Sequence, residues 1–117
     1  MQARKLIFVG NSHRILCGFP EPVKRHVGYA IYQAQIGNRH PDAKPLKGLS
    51  GGILEVVSNH FGDAFRTVYA VRLQNAVYVL HAFQKKAKHG MATPKGEIGL
   101  VKQRLRRAIE IDGQEEI

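Results

Sequence analysis

Apolar positions along this chain of 117 residues follow two periods, and the order in which those periods appear outlines a fold. A period of two is clearest late in the chain. Phe65, Thr67, Tyr69, Val71 and Leu73 alternate with Arg66, Val68, Ala70 and Arg72. In the next run Val77, Val79, His81 and Phe83 fall on one face, with Tyr78, Leu80 and Ala82 on the other. Both faces of this second run are mainly apolar, which predicts a central strand. Only Gln74 and Asn75 separate the two runs, so they predict a β-hairpin that brings Arg66 beside the segment 83–86. Residues 53–58 predict a strand before this pair, joined to it by a turn over 59–63. Residues 4–9 predict a short internal strand ending at Gly10 and Asn11.

A helical period fills the gaps. Val23, Val27, Ala30, Ile31 and Ala34 recur at helical spacing, with Pro20 suited to the first turn and Gly37 to the stop. Ser12 is expected to cap a brief helical turn through Ile15 and Leu16. In the closing helix Ile98, Val101, Leu105, Ala108 and Ile109 form the apolar stripe. Thr93 is its expected N-cap, Pro94 its first residue, and Glu97 lies in its electropositive first turn. Residues 38–52 show no sustained period and read as a long loop, and the acidic tail is expected to fray. The sequence therefore predicts one α+β domain over residues 1–117. It comprises an antiparallel sheet of about four strands flanked by N-terminal and C-terminal helices.

Charge narrows the function. Lysine and arginine number 18 against 9 aspartates and glutamates, a formal net charge of +9, which points to a polyanionic partner. Lys85, Lys86, Lys88, Lys95, Lys102, Arg104, Arg106 and Arg107 share one late segment whose only acid is Glu97. With Arg66 paired to the end of the second hairpin strand, four cations converge on one end of the sheet. The lone Cys17 cannot form an intramolecular disulfide, and the N-terminus lacks the pattern of a secretory signal, so a cytoplasmic protein is expected. No apolar run approaches the roughly 20 residues needed to span a bilayer, so no membrane partner is expected.

Several features have plainer readings. His81 stands mid-strand among apolar neighbours and is expected to be a hydrogen-bonded core histidine. The glycines between Gly48 and Gly52 lack the Gly-Lys-Ser/Thr ending of a phosphate loop. The histidines and Cys17 show no zinc-ligand spacing, which leaves Cys17 as a buried or half-buried apolar group and predicts neither metal nor cofactor.

Five motifs in this order carry a family resemblance: Lys44-Pro45-Leu46-Lys47-Gly48-Leu49, Leu54-Glu55-Val56, Phe65-Arg66-Thr67-Val68-Tyr69, Leu80-His81-Ala82-Phe83-Gln84-Lys85-Lys86 and Ala92-Thr93-Pro94-Lys95. Over nearly its whole length the chain resembles the RelE/HigB toxins of bacterial toxin–antitoxin systems, most closely their phage-derived branch. The resemblance implies a ribosome-dependent endoribonuclease that cleaves mRNA without a metal and is silenced by a cognate helix-turn-helix antitoxin. Arg66 matches the family's phosphate-clamping arginine, and Lys85 and Lys86 its basic pair. Some members carry basic residues where this chain has Glu55 and Val57, and some a tyrosine where it has His89-Gly90-Met91. His89, then His60, are the imidazoles left to transfer protons. Lys44, Lys47, His60, Lys88, Lys95, Lys102 and Arg106 are the expected RNA contacts. Two alternatives stay open: a non-catalytic inhibitor like the related ParE branch, and an RNA-binding module without cleavage. Arg66 has an alternative too, as a structural ion pair with Glu55 on the neighbouring strand.

Overall fold

The computed structural model of the protein describes residues 3–49, 51–86 and 93–115. Its elements run β1 (Lys5–Phe8), α1 (Ser12–Cys17), α2 (Glu21–Gln35), β2 (Ala43–Pro45), β3 (Ile53–His60), β4 (Asp63–Ala70), β5 (Ala76–Lys86) and α3 (Lys95–Glu115). The strands form one sheet in the order β1-β5-β4-β3-β2. From β1 the chain crosses one face of the sheet through α1 and α2 to reach the far edge, then returns strand by strand. That route makes β1 parallel to β5 and every other pair antiparallel. The α+β architecture is as expected, but the sheet is mixed and has five strands. The extra one is β2, inside the stretch read as a loop: three residues that pair with β3 (Ala43 opposite Val56, Pro45 opposite Leu54) are too few to show a period.

The two faces are covered by different helices. Val23, Val27, Ala30, Ile31 and Ala34 of α2, the five positions predicted, pack on Leu54, Val56, Phe65, Tyr69, Val77 and Val79. Val101 and Ala108 of α3 pack on the opposite face, against Val68, Ala70, Tyr78 and Leu80. The predicted alternation of β5 holds only up to Leu80. Val68 pairs with His81 but Tyr69 with Val79, so Leu80 is the extra residue of a β-bulge. Beyond it the faces exchange. Ala82 joins Val79 on the α2 side. His81 turns to α3, where it meets Glu97 and Arg104, and Phe83 stacks on its ring at 5.1 Å.

The helix ends also differ in detail from expectation. Asn11, not Ser12, stands at the N-cap of α1, because the Ser12 hydroxyl donates to the Val79 carbonyl at 3.1 Å. Pro20 is the N-cap residue of α2, with Pro22 inside the first turn. Gly37, just past the end of α2, adopts the left-handed φ of +88° that stops a helix. Ile109 is 51% exposed rather than part of the inward stripe of α3. The inward place near that end belongs to Asp112, which was expected in a fraying tail. Its carboxylate accepts the Gln74 and Asn75 amides and the Tyr78 hydroxyl, each at 2.8 Å. Burial pushes the Asp112 pKa up, but these hydrogen bonds outweigh it and hold the carboxyl below its ordinary value. The end of α3 is thereby tied to the β4–β5 turn. Cys17 is exposed. Among the described residues no helix is long and apolar enough to cross a membrane.

Candidate functional site

A groove of about 540 Å³ opens on the α3 face, between the β2 edge and the start of α3. Its floor is Glu55 and Val57 of β3 with Arg66 of β4. One wall is Asp42, Lys44, Leu46 and Lys47, and the other Thr93 and Ile98. The register explains the floor. Val57 lies opposite Arg66, and Glu55 lies opposite Val68, so Glu55 and Arg66 are diagonal neighbours on one face. Arg66 Nη1 donates to Glu55 Oε1 at 3.1 Å, so the structural ion pair is formed in the free protein. The guanidinium is deeply placed, with Arg66 only 4% exposed.

The other carboxylate oxygen, Glu55 Oε2, accepts the Thr93 hydroxyl at 2.8 Å. Thr93 therefore spends its side chain on the groove floor rather than on capping α3. The Ile98 amide bonds the Pro94 carbonyl at 3.0 Å, which puts Pro94 at the N-cap position and starts the helix at Lys95. A second polar network holds the same end of α3 over the sheet. His81 Nε2 bonds Glu97, while Arg104 meets His81 Nδ1 and the Leu80 carbonyl at 3.1 Å and Asn11 Oδ1 at 2.7 Å. A guanidinium can only donate, so His81 Nδ1 accepts and the ring carries its hydrogen on Nε2, toward Glu97. His81 is thus the hydrogen-bonded core histidine expected. Burial lowers the Arg104 pKa and Glu97 opposes the shift. The guanidinium lies so close to Gly10 that a Cβ there would stand 2.7 Å from Arg104 Nε, and Gly10 also has a φ of +61°. A larger residue there would have to displace the Arg104 side chain and hold a strained backbone.

Of the positions singled out from the sequence, Arg66, Lys44 and Lys47 meet in the groove, the two lysines with exposed side chains. Lys85 stands opposite Ala64, two residues along from the Arg66–Phe83 pair, and so on the same face nearer the sheet end. Lys86 ends β5 opposite Asp63, and its side chain lies outside the described residues, as do Lys88 and His89. His60 is not brought to the groove. It lies on the α2 face, its ring 6.4 Å from that of Phe65 and 4.3 Å from that of Phe61. Lys95, Lys102 and Arg106 are exposed along α3. At 1.5 Å per residue, Lys102 and Arg106 stand about 10 and about 16 Å beyond Lys95, which begins the helix beside the groove. Sequence reasoning did not place Asp42 or Thr93 in the groove. Thr93 reads as a cap by residue type, and Asp42 falls in an aperiodic stretch.

A buried guanidinium on the floor, exposed lysines on one wall and the positive end of a helix on the other bring three electropositive features to one groove, with the acids Asp42 and Glu55 beside them. Glu55 adds a carboxylate that accepts hydrogen bonds at both oxygens. No curated protein matches the chain. A family model described as "Phage derived protein Gp49-like (DUF891)" matches residues 14–106, from α1 through most of α3 and including every residue that lines the groove. That family is associated with RelE-like toxin proteins. With most of its length inside the match, the chain belongs to the phage-derived Gp49-like family.

Proposed function

We propose that this protein is the toxin of a toxin–antitoxin pair and that the groove cleaves mRNA on the ribosome. The observation that carries this reading is the Arg66–Glu55 pair on the floor of a lysine-walled groove. Transesterification of RNA needs a cation at the phosphate and a group that takes the proton of the attacking 2′-hydroxyl. Arg66 meets the phosphate, and Lys44, Lys47 and Lys85 draw in the backbone. As Arg66 turns to the phosphate, the Glu55 carboxylate is placed to accept the 2′-hydroxyl proton. The 2′-oxygen bonds to phosphorus, the 5′-oxygen leaves with a proton from an acid, and the products are a 2′,3′-cyclic phosphate and a 5′-hydroxyl. His89 stands as the candidate acid from its place after the basic pair. Lys95, Lys102 and Arg106 extend the cationic surface along α3 toward ribosomal RNA. The partners in this reading are the ribosome with its mRNA and a helix-turn-helix antitoxin that covers the groove.

Purified protein incubated with programmed ribosomes tests it. Fragments ending in 2′,3′-cyclic phosphate are expected with the parent, and Arg66→Lys, which keeps the charge but loses the planar fork, is expected to slow cleavage about 100-fold. RNA that binds but stays intact on ribosomes would instead favour a binding module, and growth arrest without RNA contact an inhibitor of the ParE kind.

A further inference from the structure

At the outer edge of the groove wall, three side chains from two stretches of sequence converge where α2, the connection after it and β3 meet. His26 Nε2 on α2 stands 2.8 Å from Asp42 Oδ2, and His40 Nδ1 stands 3.9 Å from the same oxygen. Donor atoms of all three lie within 4.8 Å of one another. The two rings pack edge to face with centroids 5.4 Å apart, and Tyr29 meets His40 at 5.5 Å.

We propose that His26, His40 and Asp42 bind a divalent transition-metal ion of the zinc class, which fastens the β2 edge strand to α2. A tetrahedral ion with bonds of about 2.0–2.1 Å holds its ligand atoms about 3.3 Å apart. The observed separations bracket that value, so side-chain adjustment brings the ligands into range. Two imidazole nitrogens and one carboxylate oxygen suit zinc, cobalt or nickel and not magnesium or calcium, which take oxygen ligands. The supporting contact of a ligating histidine is also in place. His26 Nδ1 bonds the Ser58 hydroxyl at 2.8 Å, which turns Nε2 toward Asp42, and Ser58 is itself buried. The histidine side chains are 28% and 13% exposed and that of Asp42 is 56% exposed, which leaves one open side for water or a fourth ligand.

Two contacts compete with the ion. One is the direct His26–Asp42 bond, and the other is the Asp42 amide, which donates to His40 Nδ1 at 3.0 Å. Both join the same three residues that the ion would hold, so binding exchanges one local tie for a stronger one. Its consequence falls on β2. That strand follows Asp42 directly, pairs only with β3 among the described residues and carries Lys44, so an ion at its start fixes the lysine wall of the groove whether or not the groove cleaves RNA.

Tag-free, chelator-treated protein titrated calorimetrically with zinc chloride tests the site. Cys17→Ser serves as the parent, because Cys17 Sγ lies 3.5 Å from His13 Nε2 in an exposed pair able to take a soft ion by itself. One zinc ion per chain is expected. His26→Gln and Asp42→Asn should each weaken binding about 100-fold, and Ser58→Ala, which keeps all three ligands, about 10-fold. Zinc should also slow amide exchange in β2 about 10-fold. Asp42 is exposed, so Asp42→Asn keeps the test decisive if the half-buried His26→Gln fails to fold. Absence of stoichiometric binding would overturn the proposal. So would binding that survives Asp42→Asn and follows His13→Ala instead, which would leave the trio a hydrogen-bonded latch.

Discussion

Under α2 the sheet buries aliphatic and aromatic side chains in a continuous layer, and two hydroxyls caught in it, Thr67 Oγ1 and Tyr69 Oη, have no hydrogen-bond partner among the described residues. Under α3 the same sheet carries the Arg66–Glu55–Thr93 set, the His81–Glu97–Arg104 set and the anchored Asp112, each held by hydrogen bonds that involve charged groups, although the buried Arg66 Nε, like those two hydroxyls, makes no hydrogen bond among the described residues. The difference separates a face held by apolar packing from one that gathers charged groups beside a groove. One face can leave a hydroxyl unpaired because the apolar layer around it carries the stability, and burial there pushes the Tyr69 pKa up to about 12. On the other face most of these polar groups are tied to a partner of opposite charge or to a charged acceptor, where each such bond is stronger than one between neutral groups.

Breaking the comparison at β4 gives the largest effect. Arg66 and Thr67 are adjacent and face opposite sides. Arg66→Ala should lower cleavage by about 10²–10³-fold and destabilise the fold by about 3 kcal/mol, since Glu55 is left without its cation. Arg66→Met combined with Glu55→Gln removes both charges and should recover most of that stability while staying inactive. Chemical denaturation together with single-turnover cleavage separates the two effects. A double variant that cleaved like the parent would show that the floor of the groove is structural.

Asp112 sharpens the contrast far from the groove. Asp112→Ala should cost about 2–4 kcal/mol, because two backbone amides and a tyrosine hydroxyl lose a charged acceptor. Its pH dependence has a definite sign. The folded-state pKa is lowered, so the stability that Asp112 contributes is fully present above the ordinary carboxylate value of about 4 and fades as pH falls below it. Melting curves of the parent and of Asp112→Asn should therefore converge in acid. Curves that stay parallel would remove the ionised carboxylate from the account.

What could be read in the sequence follows the same division. The α2 face was legible residue by residue, because a sealed apolar layer imposes an unbroken period on Val23, Val27, Ala30, Ile31 and Ala34. The α3 face was only partly so. One extra residue at Leu80 turned His81 and Phe83 over, and nothing in the composition of that run marks a bulge. Asp112 looked like a tail charge because its partners are the turn at Gln74 and Asn75, distant in sequence. Glu55 stood out as a departure from the family pattern, and the ion pair with Arg66 was visible as an alternative once the two strands were aligned. The His26, His40 and Asp42 cluster has no motif spacing, because the fold and not the chain order brings it together.

On the sealed face the expected change is a gain. Thr67 is fully buried and its hydroxyl has no partner among the described residues, so Thr67→Val keeps the shape and removes a desolvated polar atom. Stability should rise by about 1 kcal/mol with cleavage unchanged. A loss of similar size would mean that the hydroxyl has a partner in solution and that the two faces are more alike than the comparison holds.

The smallest effect lies at the β3–β4 tip, which belongs to neither face. Phe61 is 94% exposed and has a φ of +49°, followed by Gly62 at +83°. Two successive left-handed residues form the tight hairpin turn that asparagine–glycine satisfies best, and a bulky aromatic at its first position is strained. Phe61 touches the His60 ring, with centroids 4.3 Å apart, but it buries almost nothing. Phe61→Asn should therefore relieve backbone strain at little cost in packing and stabilise the protein by about 0.5–1 kcal/mol. Denaturant midpoints at equal slope measure this directly. A lower midpoint would show that the contact with His60 outweighs the strain and that the tip is part of the α2-side core.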